Sequence, residues 1–94
     1  MAEDEERARK YWENIARIDR EEELEWCVKN VWLTYQLLAA RAEDGSAERR
    51  EFDRLQDRYM AIERNLMDLS REEEDRILEE YPKLVERLER ENGL

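Results

Sequence analysis

The sequence predicts an all-α fold, a single-domain antiparallel helical bundle of four helices, or of three if the first two are continuous. Three observations predict it. Two glycines and one proline in 94 residues leave little punctuation for strands. Glu, Arg, Leu and Ala, all good helix formers, dominate the chain. Apolar residues recur at three- and four-residue steps almost from end to end. Charged residues make up 47% of the chain and the net charge is −10, a balance that alone points to disorder. The 40% of apolar residues, set at helical spacing, outweighs it. A chain this short has surface enough for one core, so 1–94 is expected to be one domain.

The first element is expected near 3–18, where Ala8, Tyr11, Trp12, Ile15 and Ile18 fall on one helical face. Glu3/Arg7, Glu5/Arg9, Glu6/Lys10 and Glu13/Arg17 have the i,i+4 spacing of supporting ion pairs. The apolar pattern then pauses at DREEE. Asp19 followed by Glu22 has capping-box spacing, so a second helix is expected to start near Arg20. One bent helix is the alternative, because no Gly or Pro forces a break.

The second element, about 20–43, is the centre of the chain. Its WCVKNVWLTYQLLAA stretch, Trp26 to Ala40, carries one charge, Lys29. Leu24, Cys27, Val28, Val31, Trp32, Tyr35, Leu38 and Ala39 form one broad apolar arc. Trp26, Leu33, Leu37 and Ala40 form a second stripe roughly opposite. Two faces need two sets of partners. If the first helix packs on one side and the later helices on the other, both faces are internal, which is the expected arrangement. Otherwise the stripe is exposed and marks a protein interface, with Trp26 as anchor and Lys29, Asn30, Gln36 and Arg41 as its polar rim.

Asp44-Gly45-Ser46 closes that helix, Gly45 supplying the left-handed C-terminal conformation and Ser46 the next N-cap. The third element, about 47–69, sets Phe52, Leu55, Tyr59, Ile62, Leu66 and Leu69 on a bundle seam that Met60 and Met67 widen. Gln56 and Glu63 lie beside the seam, with their tips expected in water. Ser70 and Glu73 form a second capping box, so a fourth helix is expected over 71–91. Pro82 removes a hydrogen bond to Leu78 and predicts a kink or a one-residue break near Tyr81.

The residue types exclude much chemistry. Without histidine there is no His metal site and no base for a Ser or Cys triad. The lone Cys27 sits in the main arc and is expected to act as an inert small hydrophobe. The plentiful carboxylates lie on polar faces, where solvated charge is the default, and the Glu43-Asp44-Gly45-Ser46 turn lacks the ligand pattern of an EF-hand. No catalytic residue, metal ligand or cofactor is therefore assigned. The acidic balance argues against nucleic acid and an anionic membrane as partners. Arg50, Arg54 and Arg58 are matched by Asp53 and Asp57 alongside. MAEDEER has no signal-peptide character, and the 15-residue apolar stretch is too short to span a bilayer, so a soluble protein of cytoplasmic type is expected.

In style the chain resembles an idealised, de novo designed helical bundle, through its two serine caps, its Asp-Gly-Ser turn, its outer Glu/Arg pairs and its lack of histidine. It departs from that style in Cys27, in the closely spaced Trp26 and Trp32, and in its excess of Arg over Lys. The resemblance covers the whole chain. Three functions compete. The leading one is a non-enzymatic scaffold or protein-protein interaction module that binds a protein partner, or itself, through Trp26, Leu33, Leu37 and Ala40. The second is an acidic nucleic-acid mimic that inhibits a basic-grooved enzyme through the run Asp19 to Glu25. The third is a small-ligand site lined by Trp26, Trp32, Tyr35 or the methionines.

Overall fold

A computed structural model describes residues 2–94 and contains three α-helices: α1 (Ala2–Arg41), α2 (Ala47–Arg64) and α3 (Arg71–Asn92). A 3-10 turn, Leu66–Asp68, leads into α3, and no strand occurs among the described residues. The four-helix expectation is therefore corrected to three. Asp19 does not cap a new helix, and the backbone stays helical through the DREEE segment. Two causes favour continuity. Between Glu3 and Ala40 there is no Gly or Pro to open the hydrogen-bond ladder. Arg20 also reaches across to α3, its Nε 3.3 Å from Glu74 Oε1 and its Nη2 2.5 Å from Asp75 Oδ1, which holds the junction in register.

Both predicted serine caps form. Ser46 and Ser70 accept from the backbone N–H of Arg49 and Glu73, each at 3.1 Å, which satisfies donors that a helix start leaves open. Gly45 adopts φ +75° in the turn between α1 and α2, the left-handed conformation it was expected to supply. α2 ends at Arg64, short of the expected 69, because Asn65 leaves helical geometry and the chain tightens into the 3-10 turn. α3 runs unbroken through Pro82, so the expected break near Tyr81 is absent. One missing hydrogen bond is offset by the tertiary packing of that helix.

The core is the inner arc of α1 against α2 and α3. Leu24, Cys27 and Val28 pack with Ile77, and half-buried Trp32, Ile62, Leu66 and Tyr81 surround them. Further along, Val31, Tyr35 and Leu38 pack with Leu88 against Phe52, Leu55, Tyr59 and Leu84. Every residue of the predicted arc is buried except Trp32, which is half-buried. Aromatic contacts join the three helices. Tyr35 stacks on Tyr59 at 5.7 Å, and Tyr59 meets Tyr81 edge-on at 5.4 Å.

Burial pushes the Tyr81 hydroxyl up to about 12, with a smaller contribution from Tyr59. Burial likewise raises Tyr35. A folded-state value above the unfolded one stabilises the protein below the unfolded value, and that stability is lost as pH rises through the folded one. The fold is therefore expected to lose on the order of 1–2 kcal/mol between about pH 10 and 12, allowing for partial solvent access at Tyr81. Denaturant unfolding across that range, followed alongside tyrosinate absorbance, checks it. A Tyr81→Phe variant should show a shallower loss.

Candidate interaction surface

The bundle covers only part of α1. Arg20 and its partners on α3 mark one end of the packed region, and Arg41, which donates to the Asn92 carbonyl at 3.2 Å, marks the other. The segment from Ala2 to Asp19 projects beyond as a helical arm, roughly 27 Å long at about 1.5 Å per residue. The molecule accordingly measures 66 × 25 × 20 Å.

On the arm, Tyr11 is 62% and Trp12 66% exposed, and their rings meet edge-on at 5.7 Å. Ile18 is also exposed, and Ile15 is half-buried. The opposite side of the arm is polar, carrying Glu6, Arg9, Lys10, Glu13 and Arg17. The predicted stripe is exposed too. Trp26 is 60%, Leu37 49% and Leu33 40% accessible, and Ala40 lies open beside them. The expectation that both faces of the central helix are internal is overturned. The cause is the continuity of α1, which carries the first apolar segment away from the bundle instead of folding it back over the stripe.

Continuity also aligns the two exposed segments. At about 100° per residue, Ala8, Tyr11, Trp12, Ile15, Ile18, Trp26, Leu33, Leu37 and Ala40 all fall within one arc roughly 120° wide. Leu24, Cys27, Val28, Val31, Tyr35, Leu38 and Ala39 fill the opposing arc. α1 is thus apolar on two opposed sides, with α2 and α3 covering one. Trp12, Trp26, Leu33 and Ala40 lie in phase at multiples of seven residues, the spacing of a helix-helix seam. Spacing along the sequence sets Trp26, Leu33, Leu37 and Ala40 in one stripe and leaves the arm residues on a separate helix. The signal was there in the phase of Tyr11, Ile15 and Ile18, which becomes shared only once the helix is carried through Asp19.

Cys27 is buried, and burial first, then the nearby Glu23 carboxylate, push its thiol up, away from the reactive thiolate. Trp32 turns inward and donates from Nε1 to the Glu63 carboxylate, so Glu63 is a working partner in the bundle and not a free rim charge. Trp26 is exposed on the opposite side of α1 from Trp32 and Tyr35, which pack against the core. One cleft, about 570 Å³, is an open groove lined by Tyr59, Tyr81, Leu84 and charged residues of α3. Lys83 and Arg87 there lie 3.6 and 3.9 Å from Glu79 and Glu91. Met67, expected to widen the α2 seam, is instead largely exposed, because Leu66 takes the inward position in the 3-10 turn.

The acidic run from Asp19 to Glu25 spreads around α1 without forming a row, since neighbouring positions on a helix point about 100° apart. In the arginine row, Arg54 pairs with Glu51 at 2.6 Å, and Arg58 lies 6.0 Å over the Tyr59 ring. The Arg54 guanidinium holds Glu51 below the usual carboxylate range. No cluster of potential metal ligands occurs among the described residues, and no described helix is long and apolar enough to cross a membrane. Comparison of the chain with protein-family profiles, with curated proteins and with solved structures returned no match.

Proposed function

We propose that this chain is a non-enzymatic helical interaction module, and that the outer face of α1 is its docking surface for a protein helix. The observation that carries this reading is the exposure of Trp26, Leu33 and Leu37 together with Tyr11 and Trp12 on one side of one helix. Exposed apolar residues scattered singly are ordinary on protein surfaces, whereas aromatic and aliphatic side chains gathered on one face, with charged residues between and beside them, mark a contact. Trp and Tyr are the residues that most often dominate binding energy, and a rigid helix presents them at low entropic cost.

Replacing Trp26 and Leu33 together with Glu tests it. The variant is expected to keep its helical signal and to melt within a few degrees of the parent, because neither side chain supports the core. It is also expected to lose binding of a hydrophobic fluorescent dye and any association seen by sedimentation. A variant that unfolds would make the stripe part of the core and overturn the reading. Unchanged dye binding and association would do so equally.

A further inference from the structure

We propose that the docking surface is occupied by a second copy of this chain, the two α1 helices lying antiparallel so that the arm of each covers the Trp26 to Ala40 stripe of the other. This rests on the reading of that stripe as a docking face and adds its occupant and its register. α2 and α3 sit on the opposed arc, so two copies can meet along α1 without displacing either helix.

Charge sets the register. Between Ala8 and Ala40 the exposed arc contains three charged residues, Asp19, Glu22 and Lys29, the last 3.9 Å from Glu25 of its own helix. Setting Glu22 against the partner's Lys29 forms two symmetric ion pairs, one on each side of a two-fold axis near Trp26. The same register places Ile18 against the partner's Leu33, Tyr11 against the partner's Ala40, and Ile15 level with the partner's Gln36, beside Leu37. A parallel pairing would instead set Glu22 against its own copy and leave Lys29 facing another lysine.

The arm suits this role in net charge as well. Residues 3–18 carry five acidic and four basic side chains, leaving −1 of the chain's −10, so the arm approaches the acidic bundle of its partner without strong repulsion. Area also fits. Three aromatics at 60–66% exposure each offer on the order of 130 Å². With four aliphatics and the rim, the face reaches the same order as the ~800 Å² per partner of a stable interface. A surface that matches itself through a two-fold axis is the commonest form of homodimer.

The test is equilibrium sedimentation of the full chain, of Glu22→Lys, of Lys29→Glu and of the double swap, with acrylamide quenching of Trp12 and Trp26 measured in a Trp32→Phe background. The parent is expected to be a dimer. Each single swap should weaken it about tenfold or more, and the double swap should recover it to within a few-fold. A dimer unmoved by either single swap, or not recovered by the double, overturns the proposal. So does a monomer at high micromolar concentration. In that case freely quenched tryptophans would leave the docking face standing for another partner, and shielded ones would remove the docking face too.

Discussion

Replacing Val31 with Asp is expected to abolish cooperative folding. Val31 is fully buried, in contact with Tyr35, Leu38 and Leu88 where α1 meets α3. A carboxylate there has no cation in the cluster to pair with. An unpaired buried charge costs about 3–5 kcal/mol even after local relaxation, against a total stability on the order of 5–10 kcal/mol for a chain of this size. The cavity and lost packing of the valine add to it. Val31→Ala keeps the position apolar and is expected to cost only about 1–3 kcal/mol, with a cooperative melt at lower temperature. Thermal melts followed by circular dichroism at fixed protein concentration separate the two. A Val31→Asp variant melting within a few degrees of the parent would mean that the inner arc of α1 is not the centre of the fold.

That arc was legible in the sequence because its information is local. Leu24, Cys27, Val28, Val31, Tyr35 and Leu38 keep one phase over four turns, and the two serine caps and Gly45 set boundaries through side chains close in sequence. The junction at Asp19 was not legible in the same way. An acidic residue with a glutamate three positions later has the same spacing at a helix start as inside a charged helix, and the contact that favours the second, Arg20 reaching Glu74 and Asp75, joins residues more than fifty positions apart. The fate of the outer stripe depended on that one junction. With a break, Trp26 and Leu33 would have the first helix over them. Without it, they share an open face with Tyr11 and Trp12. Trp32 and Glu63 were each placed near the seam by periodicity, but their hydrogen bond depends on how α1 and α2 are rotated against each other, which spacing along either helix does not encode.

Inserting a short Gly/Ser loop between Ile18 and Asp19 is expected to convert the protein into a compact monomer. The arm's apolar segment, Ala8 to Ile18, spans about 15 Å, and Trp26 to Leu37 spans about 16 Å at 1.5 Å per residue. Folded back, the arm therefore covers most of the stripe in its own chain, in the antiparallel sense proposed for the dimer. A flexible loop gives the arm an effective concentration in the millimolar range, and closing a few extra residues costs only about 1 kcal/mol or less beyond the shortest workable turn. Contact between two chains must instead overcome the larger entropic cost of association. The uninterrupted helix forbids the internal route in the parent, so the exchange of arms proposed above would be an intermolecular counterpart of the four-helix arrangement. The expected result is a monomer by sedimentation, with a long dimension well below the parent's 66 Å. The helical signal should be nearly unchanged, and Trp12 and Trp26 should be less accessible to acrylamide than in an arm-deleted chain. A loop variant that stays dimeric, or whose arm is clipped by protease as fast as an unstructured peptide, would show that the arm has no affinity for the stripe within its own chain.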